Sequence, residues 1–174
     1  IDVHSHAAEG ITRPALRQAQ PLIAQGITTI VANPDGGGPE DLATQRKELE
    51  TGGTGPNVAL LIGHGRVRRG VVGTANRAPT PEELERMRGL VRTAMEQGAF
   101  GLSSGLFYTP GSYAKTEEVI ELTKVAARYG GLYTSHIRDE ADYTVGVVAA
   151  VDEVIDIAEG AGLVGVVTHM KALG

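Results

Sequence analysis

Residues 99–137 read AFGLSSGLFYTPGSYAKTEEVIELTKVAARYGGLYTSHI, and this stretch decides the fold. Ala99 to Ser104 is a small, Gly-rich strand. A loop over 105–115 follows, carrying Phe107, Tyr108 and Tyr113. Thr116-Glu117-Glu118 opens a helix that runs to Tyr129 and stops at Gly130-Gly131, because glycine takes the left-handed turn that ends a helix. Leu132 to Ile137 is the next strand. A strand, a helix and a second strand in succession form a right-handed βαβ unit with parallel strands.

The same alternation extends both ways. Upstream, Thr80-Pro81-Glu82-Glu83 is a capping box with Pro at the first helical position, and Leu84, Met87, Leu90, Val91, Ala94 and Met95 give the helix an apolar stripe. Asn57 to His64 reads as a strand, and the Arg- and Gly-rich stretch from Gly65 to Pro79 as a long loop. Ile27 to Ala32 is a β-branched strand leading into Asn33-Pro34-Asp35-Gly36-Gly37-Gly38-Pro39, which must be a loop. Glu40 to Glu50 is a short polar helix, and Pro14 to Gln25 a helix that Pro21 kinks or breaks. Downstream, a helix from about Tyr143 to Ala161 precedes a strand from Leu163 to His169. The chain opens on a short strand, Ile1 to His6.

Strands alternating with helices argue for a parallel α/β sheet. Two closures are open: a doubly wound sheet or a (β/α)8 barrel. A barrel needs eight strands and usually about 250 residues, so a barrel made of this chain is a partial one. Such a partial barrel is expected to leave an edge strand and apolar helix faces exposed, open to self-association.

The chain contains five histidines: His4, His6, His64, His136 and His169. On this reading each lies at or near the C-terminal end of a strand. In a parallel barrel those ends form one face, where active sites are built. His4 and His6 are two residues apart, so their side chains share a strand face. Any one of the five is readily a packed or capping histidine; their gathering at one end is better explained by a metal. Asp35, after the second strand, lies on the same face, either as a turn former in Pro-Asp-Gly or as a carboxylate ligand that bridges two ions. With no cysteine, ligands are limited to imidazole and carboxylate, which suits zinc. Zinc lowers the pKa of a bound water to about 7 and polarises a carbonyl.

The composition sets outer limits. A net charge of -5 and 41% hydrophobic residues are ordinary for a globular domain. They give no electrostatic case for nucleic acid or a membrane surface. No apolar run reaches the roughly 18 residues of a spanning helix. The chain begins with Ile, so upstream sequence is expected to be missing and a signal peptide is neither found nor excluded. A cytoplasmic location is the default expectation.

Asp2-Val3-His4-Ser5-His6 resembles the strand-one HxH signature of the amidohydrolase superfamily. Gly26 to Val31, Gly101 to Leu106 with Tyr108, Pro110 and Gly111, Ser135 to Glu140, and Thr168-His169-Met170-Lys171 narrow the resemblance to the N-acyl-D-amino-acid deacylases, over almost the whole chain. The resemblance implies a (β/α)8 barrel and zinc-dependent hydrolysis of the amide of a small N-acyl-D-amino acid. It implies one or two zinc ions, with His4 and His6 on one and His136 and His169 on the other. The family's bridging cysteine falls, ungapped, on Asp35. Lys171 matches a lysine that meets the substrate carboxylate, and Tyr108 and Arg138 are further substrate-binding candidates, Arg138 being equally a structural partner of Asp139 or Glu140. His64 carries no ligand role. A carboxylated lysine, as in hydantoinase-like relatives, is not expected, since the fourth strand has no lysine. The family's general base, an aspartate at the end of strand eight, is expected beyond Gly174, as are strands seven and eight and a flanking β-sandwich. Residues 1–174 alone are therefore expected to be inactive. The rival readings are another amide hydrolase, such as a D-amino-acid dipeptidase, and a non-catalytic metal-binding fragment.

Overall fold

The computed structural model describes residues 1–170. Seven parallel strands alternate with helices: β1 Asp2–Ser5, α1 Ala8–Ile11, α2 Gln20–Ile23, β2 Thr29–Ala32, α3 Leu42–Gly52, β3 Asn57–Leu60, β4 Ile62–Gly63, α4 His64–Val71, α5 Pro81–Glu96, β5 Gly101–Gly105, α6 Thr116–Ala127, β6 Leu132–His136, α7 Val147–Ala161 and β7 Gly165–Thr168. β3 and β4 are the two halves of the single third strand expected from sequence, interrupted at Leu61. The interruption is bridged on both sides. Leu61 N donates to Ala32 O at 3.1 Å and Phe100 N to Leu60 O at 2.8 Å. The sheets β1-β2-β3 and β4-β5-β6-β7 thus continue one another in chain order.

Local chemistry sets the helices. Thr80 and Glu83 close the capping box at α5: Glu83 N donates to Thr80 Oγ1 at 3.2 Å and Thr80 N to Glu83 Oε2 at 2.8 Å. Met87, Val91, Ala94 and Met95 are the face α5 buries. The larger core lies where α4 to α7 pack on β4 to β7, around Ile62, Leu102, Leu122 and Ile157. A smaller one lies under β1 to β3, around Ile11, Ile30, Leu49 and Leu60. Some of the strand side chains buried in the fold are polar. Ser104 Oγ meets Tyr133 Oη at 2.6 Å and donates to Ser135 Oγ at 2.9 Å. Burial pushes the Tyr133 hydroxyl up to about 12, so it stays a neutral hydrogen-bonding group.

Three elements differ from the sequence reading. The expected helix over Pro14 to Gln25 is reduced to turns and the four-residue α2, because Ala19 adopts a left-handed φ of 44° before Pro21. The supposed loop after His64 begins with α4, whose buried residues include Arg68. The last helix starts at Val147 rather than near Tyr143. The loop before it wraps the buried Asp139 carboxylate, which accepts hydrogen bonds from the backbone N–H groups of Ala141, Tyr143, Thr144 and Gly146. Burial opposes ionisation of Asp139, but these donors outweigh it and hold the carboxyl well below the usual range. Among the described residues no helix is long and apolar enough to cross a membrane. Val148, Ile155 and Val164 are exposed.

Candidate metal centre

The C-terminal ends of the first and last strands meet. His4 Nε2 lies 3.2 Å from His169 Nε2, across 165 positions of sequence. Between them stands Asp35. Its Oδ1 is 3.4 Å from His4 Nε2, 3.6 Å from His136 Nδ1 and 3.9 Å from His169 Nε2. Its Oδ2 is 3.1 Å from His6 Nε2. One carboxylate thus faces four imidazoles. They resolve into two triads that share Asp35, namely His4, His6, Asp35 and Asp35, His136, His169, with ligand atoms within 4.8 Å of one another in each.

Each ligand is fixed by its element. β1 pairs with β2 through Asp2↔Ile30 and Ser5↔Ala32, so β1 carries one extra residue there. In that bulge Asp2 Oδ1 accepts from His4 N at 3.1 Å. The bulge turns Val3 outward and His4 inward. His136 is the last residue of β6 and is buried. His169 follows β7 with a left-handed φ of 59°. Asp35 is also left-handed, at 57°, as is Asn33 at 62°. Non-glycine residues hold such backbone only where the surroundings enforce it. Here Asn33 and Gln45 exchange side-chain amide bonds at 2.8 and 3.0 Å. Ser103 grips the loop on both sides of Asp35, donating to Asn33 O at 2.7 Å and accepting from Gly36 N at 3.2 Å. The loop also lies hard against two strand ends. A Cβ on Gly105 would stand 2.3 Å from Asp35 O, and one on Gly63 2.1 Å from Gly37 O, so only glycine fits either place.

The electrostatics suit a cation. Burial lowers the His4 pKa, with His169 and His6 adding to the effect against the opposing pull of Asp35. A neutral imidazole keeps the lone pair a metal needs. Burial would raise Asp35, but the approach of His136 and the fields of His4, His136 and His6 outweigh it and leave the carboxyl low. Asp35 Oδ1 is buried without a hydrogen-bond donor. Nitrogen and oxygen ligands of a tetrahedral zinc at about 2.0–2.1 Å lie roughly 3.3 Å apart, close to the 3.1–3.9 Å separations around Asp35. The residues therefore fit a divalent metal.

Around the centre, Tyr108 Oη stands 3.5 Å from His136 Nδ1. Glu140, which the sequence reading did not assign to the site, puts Oε1 3.2 Å from His136 Nε2. The contact is one of charge and proximity, since His136 Nε2 makes no hydrogen bond among the described residues. The signal for it was present, since Glu140 follows His136 by four residues. Arg138 is engaged within the fold. Its guanidinium makes two 2.8 Å bonds to Glu153 of α7 and also donates to Ser112 O and Ala114 O. Its carboxylate partner is Glu153 rather than Asp139 or Glu140. His64 faces Glu118 of α6 at 2.9 Å and belongs to neither triad. Lys171 lies outside the described residues.

A cavity of about 860 Å³ opens beside the centre, lined by His6, Asp35, Arg66 and Tyr108 among others. No protein-family model matches the chain. It is 34% identical over its whole length to a D-aminoacylase of Alcaligenes xylosoxydans xylosoxydans, covering 40% of that protein. The chain is a relative of the D-aminoacylases. An N-acyl-D-glutamate deacylase of the same organism is 40% identical over 117 residues, 67% of this chain and 23% of that one. The crystal structure described as D-aminoacylase defining a novel subset of amidohydrolases superposes with a TM-score of 0.88 at 28% identity, over 99% of this chain and 40% of that one. That of the Bordetella bronchiseptica N-acyl-D-glutamate deacylase, complexed with zinc and a phosphonate inhibitor, gives 0.87 at 35%, with the same coverages. The chain thus has the parallel α/β architecture of this amidohydrolase group and spans about 40% of the length of these structures.

Proposed function

We propose that these residues form the metal-binding part of a hydrolase that cleaves the amide of N-acyl-D-amino acids, using one or two zinc ions. The observation that carries the proposal is Asp35, one partly buried carboxylate facing the imidazoles of His4, His6, His136 and His169. A zinc ion held there supplies Lewis acidity, activating a water nucleophile and polarising the acyl carbonyl. Burial lowers the His4 pKa, and Asp35 is the carboxylate shared by the two triads. His136 turns Nδ1 toward Asp35, with the Glu140 carboxylate 3.2 Å from its Nε2. Tyr108 presents its hydroxyl at the cavity wall, able to hydrogen-bond a substrate oxygen. Lys171 is proposed to meet the substrate carboxylate by charge.

The test is a panel of N-acetyl-D- and N-acetyl-L-amino acids and D- and L-dipeptides, run on the whole protein after zinc loading, with metal counted by plasma mass spectrometry. The expected result is turnover of N-acyl-D substrates with one or two zinc per chain. Turnover of dipeptides in preference would transfer the site to a dipeptidase. Stoichiometric zinc with no turnover of any amide would leave a metal-binding protein.

A further inference from the structure

A second cavity, of about 310 Å³, adjoins the metal centre. Its charged lining is Asp35, Arg66 and Arg69, and Tyr108 forms part of its wall. Asp35, Arg66 and Tyr108 also line the larger cavity, so the two spaces share a wall beside the candidate metal centre. The Asp35 charge is turned toward the four imidazoles, which leaves the two guanidiniums to set the character of the smaller space. Arg66 makes no ion pair and no side-chain hydrogen bond among the described residues. Arg69 gives one bond, to Thr109 O at 3.2 Å, and no ion pair. Contrast the neighbouring Arg68, fully buried and paired with Glu118. Two of three arginines on one helix are thus left with open donors over a cavity beside a metal centre.

Their position is tied to that centre. Arg66 N donates to Gly36 O at 3.0 Å, one residue beyond the ligand Asp35. The backbone of the first turn of α4 is thus tied to the Asp35 loop. Arginine pairs with carboxylates through a planar, often bidentate fork. The larger cavity carries Glu9, Asp41 and Glu48, which repel an anion, whereas the smaller one carries no acid besides Asp35.

We propose that Arg66 and Arg69 form a subsite for the side-chain carboxylate of an acidic N-acyl-D-amino acid. This rests on the function proposed above and names its substrate class. Steady-state kinetics of the whole zinc-loaded protein on N-acetyl-D-glutamate, N-acetyl-D-glutamine and N-acetyl-D-leucine test it, with the variants Arg66→Gln, Arg69→Gln and Arg66→Lys. The wild type should favour glutamate over glutamine in kcat/KM by about tenfold or more, in the range of a charged hydrogen bond. Arg66→Gln should lower that ratio about tenfold, mainly through KM, and Arg66→Lys should recover part of it. An equal loss on all three substrates would assign Arg66 to the α-carboxylate and overturn the proposal. So would a wild type indifferent to the side-chain charge. Calorimetric binding of N-acetyl-D-glutamate and N-acetyl-D-glutamine reads the subsite without turnover. Equal affinities would overturn it. Failure to hydrolyse any N-acyl-D-amino acid, with the glutamate preference in binding intact, would sink the parent function alone.

Discussion

Two histidine–carboxylate clusters sit at strand ends in this molecule, and they are built to opposite purposes. In one, His64 and Arg68 of α4 meet Glu118 of α6, all nearly or fully buried, with Arg68 Nη2 also donating to Arg77 O at 2.6 Å. Here the carboxylate's counter-charge is a guanidinium that is permanently positive. In the other, Asp35 has four imidazoles around it and no arginine or lysine ion pair among the described residues. Imidazoles at neutral pH bring lone pairs rather than charge, so that carboxylate is left to be matched by a cation from outside. The presence or absence of one arginine separates a structural clamp from a candidate metal centre.

The largest test of this contrast is Glu118→Ala. It leaves Arg68 buried and unpaired, and breaking such a pair costs about 3–5 kcal/mol. Urea unfolding of the metal-free protein should show this loss, while the zinc stoichiometry of the folded fraction stays as in the wild type. A loss of zinc together with stability would show that the two clusters are not independent. Asp35→Ala should behave in the opposite sense. Zinc affinity should drop more than the roughly 100-fold that marks the loss of an outer partner, about 2.7 kcal/mol. Metal-free stability should change by less than about 1 kcal/mol, since no buried cation is orphaned. Competition with a chromophoric chelator reads the first and urea unfolding the second.

The next effect is smaller. Glu140→Gln keeps the size of the side chain but removes the negative charge 3.2 Å from His136 Nε2. Zinc affinity should fall about 10–100-fold, with the stoichiometry recovered at high zinc. Affinity equal to wild type would mean that the packing of β6 alone fixes the His136 ring.

Sequence carried the centre further than it carried its surroundings. Strand periodicity and the positions of His4, His6, His136 and His169 needed only local spacing, and the parallel order followed from the repeated βαβ pattern. The setting of Asp35 was half legible: the glycine run marked a loop, but Ser103 and Gly105, which hold it, lie some seventy residues away. The helix α4 was missed because Arg68 reads as a surface residue, and its burial is visible only once Glu118 is brought to it from α6. The ion-pair partner of Arg138 was missed for the same reason. The neighbours of Arg138 in sequence are acidic, yet its partner, Glu153, is a helix away. Spacing identifies residues that share an element; a charge's partner is chosen by packing between elements.

The subtlest expected difference lies in acid. Burial would raise the Glu118 pKa, but the His64 hydrogen bond and the charges of His64 and Arg68 outweigh it and place the carboxyl below its ordinary 4.5. A carboxylate lowered in the folded state contributes stability that is full above the unfolded value and is lost as pH falls through the folded one. The metal-free protein should therefore keep this contribution above about pH 4.5 and lose it below. Glu118→Gln removes the titration while keeping the shape. Its deficit relative to wild type, measured by urea unfolding, should be largest near neutral pH and shrink by on the order of 1 kcal/mol as the pH drops toward 3. Asp139, held low by its own loop, titrates alike in both proteins and cancels from the difference. A deficit that stayed constant from pH 7 to pH 3 would mean that Glu118 acts by packing and hydrogen bonding without its charge, and the distinction drawn between the two clusters would then rest on geometry alone.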